Sequence, residues 1–562
     1  MNARFNRRAG LIGLIAVLSL LWTACAPATP QTVVETVVVP VEVTKEVIRE
    51  VEVTAVPPEV PKEKIVIALP ADIDTLDPQA FKSIPGYYAI QNLYDQLLDY
   101  ELEAYGDHWY TTEGIRGMMA DEWEVSEDGK TITFHLREGL KFANGNPLTA
   151  EDVVYTFDRA LKGGAYTAVL LGMMTISDLA TQVEAVDQQT VVFHLKEASP
   201  MMLKLLVLNV VSVLDKETLD SHATTDDPWA NEWMKTHTVE SGPYVLKSWT
   251  PGVGWELEPN PNYWNAAAVR NAGIIIKQVD DAQTRLALLK SGAVDVAYDI
   301  PYKDLADLVK DPNVQVVTRA STWNFYLGMT NAIPPFDNVK VRQAISYALP
   351  YDTIIKDVLN GFAVPSLGPI VPNMPTHDPS LWKYQTDLAK AKQLLTEAGY
   401  PDGFKTDLNV LVGRQEDEEA AVWIQASLAQ IGVDVTINKM AAAQWYEKFN
   451  NKQHPMFMAE WFSWVNDPFY HLTWNFRSDN LFTNAVGYNN PEVDKIILAN
   501  LYEPDLAKRE AASKEAQQMI LDDAPWGFLY ARNFVVTVRR GVTGYAIYWD
   551  QNPRWMYLSK TP

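Results

Sequence analysis

The sequence predicts an α/β protein of two or more large lobes. Two observations carry this. The chain has 562 residues, and a single hydrophobic core stops growing near ~250–300 residues. Its body also alternates segments of strand period with segments of helix period, as mixed α/β architectures do. The first strand is Lys64 to Pro70 (KIVIALP), which stops in the polar loop from Asp72 to Pro78 (DIDTLDP). A helix is expected around Ala89 to Tyr100, with Ile90, Leu93, Leu97 and Leu98 on one face. Trp123 to Leu136 reads as two strands around the turn signal Glu127-Asp128-Gly129. Thr149 then caps a helix whose Glu151 and Asp152 suit its N-terminal dipole.

Ahead of the body, Arg4, Arg7 and Arg8 precede an apolar run from Leu11 to Trp22. The run is too short to span a bilayer as a mature helix, and with the small residues Thr23 and Ala24 it reads as a secretory signal peptide over residues 1–24. The protein is therefore exported. Cys25, the only cysteine of the chain, follows directly and resembles the lipobox cysteine of bacterial lipoproteins, whose thiol becomes thioether-linked to diacylglycerol. Lipoproteins usually place Leu three residues before that cysteine, where this chain has Trp22, with Leu21 one place further back. A single cysteine also leaves no internal disulfide. Residues 25–62 lack glycine, carry prolines at 27, 30, 40, 57, 58 and 61, and repeat VEVT at 41–44 and 51–54. They read as an extended or disordered tether that holds the body clear of a membrane, on the order of 120 Å fully stretched.

Charge and motifs narrow the function. Lys plus Arg number 47 against 71 Asp plus Glu, a net charge of −24, which argues against nucleic acid or anionic lipid as ligand. The eight histidines include no pair at a helical metal-ligand spacing, and HExxH, CxxC, GxSxG, P-loop and GxGxxG signatures are all missing. Asp72, Asp74 and Asp77 lack the glycine and closing glutamate of a calcium loop and read as a turn. No catalytic residue, metal or cofactor is expected. The outliers are 18 tryptophans and 25 tyrosines.

The body carries an ordered series of blocks. These are TLDP at 75–78, WEVSEDGKTITFHLREGLKFANGNPLTAEDVVYTFDRA at 123–160, SGPYVLKSW at 241–249 and NPNYW at 260–264. LALLKSGAVDVAYDIP at 286–301, PPFDNVKVRQAISYAL at 334–349 and LAKAKQLLTEAGYPDG at 388–403 follow. The last are LAQIGVDV at 428–435, GYNNPEVDK at 487–495 and DAPWGFLYARN at 523–533. From Lys64 onward the chain resembles the large-type, family 5 solute-binding proteins of bacterial ABC importers, which include oligopeptide, dipeptide, nickel and oligosaccharide receptors. The resemblance implies a two-lobed, periplasmic-binding-protein-like α/β fold whose discontinuous lobes are joined by a two-segment hinge. Lobe 1 would span 63–318 with an extra domain inserted at about 95–238, lobe 2 would span 319–532, and 533–562 would return to lobe 1. Hinge crossovers are expected near Thr318 to Trp323 and Arg532 to Phe534. The implied protein is a monomer outside the cytoplasm that captures a solute between its lobes and delivers it to a permease and its ATPase. On this fold, a sensor or chaperone-like protein without a transporter is the alternative; a cell-surface hydrolase ranks last.

Peptide-binding relatives read approximately Gly-Trp-x-x-Asp-x-x-Asp/Glu-Pro in a loop of the second lobe, and the first aspartate pairs with the peptide ammonium. The matching stretch here runs from Glu460 to Pro468 (EWFSWVNDP), so Trp464 stands in the place of that anchor. An indole offers a face and one N–H donor instead of a charge. This favours an oligosaccharide over a short peptide, with Trp464 as stacking platform, Trp461 and Trp474 as further aromatics, and Asp467 or Asn466 as hydroxyl partners. By resemblance, Asp299 in AYDIP, the run Trp323-Asn324-Phe325-Tyr326 and Tyr530 also lie near the cleft. Trp474, like Trp445, has core filling as its commoner fate.

Overall fold

The structure, a computed structural model, describes residues 33–36, 50–53, 62–81, 83–163, 165–480 and 483–560. The expected signal peptide and Cys25 lie outside the described residues, as does most of the tether. Within the tether, Val33–Thr36 pairs antiparallel with Glu50–Val53. The body from Lys62 onward is a separate compact unit.

The expected first strand forms as Ile65–Leu69. Its residues Ile65, Ile67, Ala68 and Leu69 are buried, which explains why an almost unbroken apolar run serves here. The strand lies between two parallel neighbours, Ile274–Gln278 and Val296–Ala297, and parallel strands are covered on both faces. Helix Ala282–Ser291 links those neighbours. Asp281 caps its start by accepting from Thr284 N at 2.7 Å, and Gly292 ends it at φ +79°. A Cβ at Gly292 would also strike the Arg539 guanidinium, so two constraints select glycine in the LLKSGAVDV block.

These strands belong to an 11-stranded mixed sheet that runs through both lobes. On one side stand Tyr244–Thr250, Gly254–Pro259, Ile274–Gln278, Ile65–Leu69 and Val296–Ala297; on the other, Met456–Phe462, Phe404–Leu411 and Val433–Met440. Two long strands connect the halves, Val314–Met329 and Trp526–Arg539, antiparallel from Val314↔Arg539 to Gly328↔Trp526. Their register breaks between Ala320↔Asn533 and Trp323↔Arg532, so Ser321 and Thr322 form a bulge. Side chains satisfy the backbone there: the Ser321 hydroxyl donates to Arg532 O at 2.6 Å and accepts from Trp323 N at 3.0 Å. The Thr322 hydroxyl donates to Ser463 O at 2.9 Å. The expected crossovers lie on these two strands.

A four-stranded antiparallel sheet, in the order Ala120–Val125, Thr131–Leu136, Thr190–His194, Val183–Ala185, stands apart from the main sheet. Its hairpin turns at Gly129, φ +69°, where Asp128 accepts from Ser126 Oγ and Lys130 N. Helix Ala150–Gly163 packs beside it, and Asp152 reaches back to Thr149, accepting from its N–H at 2.8 Å and its hydroxyl at 3.0 Å. Thr149 therefore marks the helix start through a partner at the third helical position.

The helix expected at Ala89 to Tyr100 lies earlier, at Ile84–Leu93, and Leu98–Tyr105 is a strand. The apolar spacing ran on into residues whose backbone is claimed elsewhere. Leu93 O accepts from Gly242 N, Asp95 O from Val213 N, and Gln96 O and Leu97 O from the 118–120 segment. Gly242 comes so close that a Cβ on it would lie 2.7 Å from Tyr94 N. Tertiary hydrogen bonding overrides helix periodicity here.

The aspartate-rich loop is scaffold. Asp72 accepts from Trp249 Nε1 and Gly252 N, and Asp74 from Ser83 Oγ. Asp77, in TLDP, pairs with Arg159, both with side chains 1% exposed; Arg159 Nη1 donates to Asp77 Oδ1 at 2.9 Å and to Gln79 Oε1 at 2.9 Å. Removing one member of a buried pair strands the other charge, at a cost of roughly 3–5 kcal/mol. Arg159→Met is expected to lower unfolding free energy by about that much, read by chemical denaturation; a loss within about 0.5 kcal/mol, typical of surface changes, would contradict the assignment.

Candidate functional site

In the second lobe, strand Met456–Phe462 passes into a loop and then helix Pro468–Phe476. Asp467 caps that helix, accepting from Phe469 N at 2.8 Å and Tyr470 N at 3.1 Å, and takes a bidentate pair from Arg509 at 2.8 and 3.0 Å. Its oxygens are committed to the scaffold, which corrects its expected role as a hydroxyl partner. Trp474 is buried behind the same helix, and Tyr326 lies flat on Trp526 at 3.5 Å and 4° within the second-lobe core. Both are placed as core residues rather than cleft residues, as is Trp445.

The loop residues before Asp467 reach the first lobe. Trp464 is half-buried, stacked on Tyr87 at 5.2 Å and 22° and tilted against Phe81 at 5.9 Å. Asn466 Nδ2 donates to Glu113 Oε1 at 2.5 Å, and its carbonyl accepts from Lys204 Nζ at 3.1 Å. Lys204 and Glu113 are themselves paired at 2.6 Å. Tyr502 adds a hydroxyl bond to Gly172 O at 2.8 Å. Together these contacts draw the lobes into contact on one side of the crossing strands.

At the crossing strands a small, partly open pocket, whose empty space of about 250 Å³ includes open solvent, lies between Tyr302 of the first lobe and Phe325, Arg414, Glu416, Asp417, Tyr530 and Arg532. Neighbouring strands place these side chains. Phe325 and Tyr530 face each other in register and stack at 4.7 Å and 13°. Arg532, opposite the bulge, lays its guanidinium 3.6 Å from the centre of the Trp323 ring. Trp323 in turn stacks on Phe462 at 5.2 Å. Arg414 and Asp417 come from the turn and first turn of helix Gln415–Ala429.

The charges are unevenly matched. Arg414 serves two carboxylates, with Nε 3.2 Å from Asp417 Oδ2 and Nη2 against Glu460 Oε2. Neither contact has hydrogen-bond geometry, so both buried oxygens lack a directed donor. Arg532 forms none of the ion pairs found among the described residues; Tyr302, Glu460, Asp299 and Glu416 act on it electrostatically, Tyr302 also as a hydrogen-bond partner. Burial lifts the Asp417 carboxyl from 3.8 to about 6, opposed by Arg414. Protonation of Asp417 therefore favours the folded state, a contribution complete below 3.8 and lost as pH rises through about 6. Burial likewise raises the Tyr302 hydroxyl to about 12, with Arg532 pulling it back.

Of the residues singled out in the sequence, Tyr530 lines this cavity and Trp323 supports its guanidinium. Asp299 is exposed at its edge in a left-handed conformation, φ +51°, with its carbonyl held by Arg285 Nη2 at 2.7 Å. Asn324 is buried against Ser366, whose hydroxyl donates to Asn324 Oδ1 at 2.8 Å. Trp461 is half-buried 6.1 Å from Trp474, its indole N–H without a partner. Trp464 and Asn466 bridge the lobes. Sequence reasoning missed Arg414, Asp417, Glu460 and Arg532. Arg532 stands two residues after Tyr530 on the expected return crossover, and Glu460 opens the loop block, so position carried a signal for these two.

Comparison with known proteins follows the same lines. Residues 114–482 match the middle region of the bacterial extracellular solute-binding proteins, family 5. The probable D,D-dipeptide-binding periplasmic protein DdpA of Escherichia coli (strain K12) is 30% identical over 491 residues, 86% of this chain and 92% of its own length. The glutathione-binding protein GsiB of Salmonella typhimurium is 28% identical over 87% of this chain and 93% of its own. Among solved structures, the periplasmic binding protein DppA of Helicobacter pylori in complex with the peptide STSA superimposes with a TM-score of 0.78 at 27% identity, covering 89% of this chain and 98% of that one. The two-lobed α/β body, its crossing strands and these matches agree, and the chain belongs to the bacterial extracellular solute-binding proteins of family 5.

Proposed function

We propose that this protein captures a short zwitterionic peptide between its lobes and hands it to the permease and ATPase of an ABC importer. The observation that carries the reading is the mismatched charge around the cavity. Arg532 is a cation without an ion-pair partner among the described residues, suited to a ligand carboxylate. Asp417 and Glu460 share one guanidinium and keep oxygens without a directed donor, suited to a ligand ammonium. Unmatched charges of both signs around one cavity suit a zwitterion better than a neutral sugar, whose hydroxyls would leave both charges uncompensated. The names of the relatives, a D,D-dipeptide-binding and a glutathione-binding protein among them, point the same way. The oligosaccharide reading rested on Trp464 as a stacking platform for a sugar, and its ring stacks on Tyr87. The reading includes a lipid anchor at Cys25 and a monomeric body outside the cytoplasm.

Titration calorimetry on the body from Lys62 is expected to show binding of di- to tetrapeptides. Neither neutral oligosaccharides nor peptides both acetylated and amidated at their ends are expected to bind. Losing a buried charge partner costs roughly 2–5 kcal/mol, so Arg532→Gln should weaken peptide binding by about thirtyfold or more while the unliganded body still unfolds cooperatively. Oligosaccharide binding without peptide binding would sink the proposal. The pH dependence adds a second check. Only ionised Asp417 attracts an ammonium, so affinity should fall as pH is lowered through about 6. In Asp417→Asn the affinity should stay level between about pH 5 and 6.5, where peptide termini scarcely titrate. A wild-type profile as flat as that of the variant would remove Asp417 from the site.

A further inference from the structure

Arg532 and Trp323 are cross-strand partners beside the bulge, and one hydroxyl ties their backbones together. Ser321 Oγ donates to Arg532 O at 2.6 Å and accepts from Trp323 N at 3.0 Å. On its other side Trp323 pairs with Phe462, so Phe462, Trp323 and Arg532 form one row across three strands. The two rings stack at 5.2 Å and 24°, and the guanidinium carbon lies over the indole, 3.6 Å from its centre. Phe325, two residues along the same strand, is 5.4 Å from that carbon. The Trp323 indole N–H is buried with no partner. A phenyl ring would supply an aromatic face here without stranding a donor, so packing alone does not account for tryptophan at this position. What the indole adds is the strongest attraction that an aromatic face offers to a cation.

We infer that Trp323 is a positioning residue for Arg532: its face compensates the guanidinium charge and leaves the N–H edge open to a ligand carboxylate. This rests on the peptide reading above and deepens it, by naming what keeps the cation ready. An acidic partner would neutralise Arg532 but would also occupy the N–H fork that a carboxylate needs. A ring face attracts the guanidinium from above and uses none of its five donors. The Tyr302 hydroxyl, from the first lobe, accepts from the same group, which leaves most of the fork for the ligand. Lysine could not take the place of Arg532, since a compact, strongly hydrated ammonium has neither a plane to lie on the indole nor a fork to present. Trp323 itself is not among the residues lining the cavity, so its effect on a ligand passes through Arg532.

The test is a double-mutant cycle read by titration calorimetry of the body from Lys62 with alanine di-, tri- and tetrapeptides. Wild type, Trp323→Leu, Arg532→Gln and the double variant are compared, with Trp323→Phe beside them, each first shown to unfold cooperatively in urea. With Arg532 present, Trp323→Leu should weaken the tightest-binding peptide about tenfold. In the Arg532→Gln background the same change should cost less than about twofold, and the C-terminal amide of that peptide, which lacks the carboxylate, should respond equally little to Trp323→Leu. Trp323→Phe should lose about threefold in affinity, while its urea midpoint stays level or rises because the stranded N–H is gone. A purely structural role would lower stability and affinity together and would act alike in both backgrounds. Should Trp323→Leu fail to unfold cooperatively, Trp323→Phe carries the same cycle. Equal losses with and without the guanidinium, or unchanged affinity in both Trp323 variants, would overturn the positioning role while leaving peptide capture intact. Failure of every peptide of the series to bind wild type would overturn both.

Discussion

The fold depends on two strands crossing from lobe to lobe as a hydrogen-bonded pair. Because Val314–Met329 and Trp526–Arg539 are paired along nearly their whole lengths, the sheet is continuous and neither strand can pivot alone. The ladder shifts register twice, at Ser321–Thr322 and between Phe325 and Tyr326. At the first shift the ladder loses its regular pattern, yet Ser321 and Thr322 hydroxyls replace the missing partners, so the backbone stays satisfied at a point where it can bend. The groups proposed to face the ligand grow from this same point. Arg532 lies opposite the bulge and Phe325 and Tyr530 sit two residues beyond it, so a solute bound there touches the pivot itself as well as the lobes that move about it.

Placing charges at the pivot has an electrostatic consequence. Around the cavity, guanidiniums and carboxylates are close to balance in number, but geometry leaves Arg532 outside the ion pairs and makes Arg414 serve two acids. In a partly desolvated cleft such mismatches are expensive, and a zwitterion of the right length removes both at once. A ligand carrying only one of the charges removes one mismatch and leaves the other. On the proposed reading, selectivity for the pair of termini follows from these unmatched charges rather than from any single strong contact.

The sequence made the scaffold legible where local chemistry and tertiary structure agree. The run KIVIALP, the Asp128-Gly129 turn and the Thr149 helix start are carried by residues whose own conformational preferences match their places, whereas the crossovers expected near Thr318 to Trp323 and Arg532 to Phe534 rest on the family resemblance alone. Legibility failed where distant segments decide. The helix expected to reach Tyr100 stops at Leu93 because Gly242, Val213 and the 118–120 segment take its carbonyls, and nothing within residues 89–100 announces those partners. The same holds at the site. Asp467 looks like a ligand residue until Arg509, 42 positions on, is seen to occupy it. Arg414, in a turn with no motif around it, becomes a site residue only when strand pairing brings Glu460 opposite Phe325.

Substitution of an indole for an acidic anchor at position 464 then has a definite energetic meaning. An aromatic pair such as Trp464–Tyr87 contributes roughly 0.5–1.5 kcal/mol beyond its buried area, and exposed or rim ion pairs such as Lys204–Glu113 about 0–1 kcal/mol. Converting a mostly open population into a mostly closed one requires about 5.5 kcal/mol. The lobe-to-lobe contacts supplied by the protein therefore bias closure without completing it, and the remainder must come from the ligand. Two terminal charges, each meeting an uncompensated group in the cavity, are of the size required at roughly 2–5 kcal/mol apiece. Had position 464 kept a carboxylate, one of those increments would lie in the loop. On the proposed reading, with tryptophan there, closure and charge recognition fall to different residues, and the charge recognition moves inward to the strands that cross between the lobes.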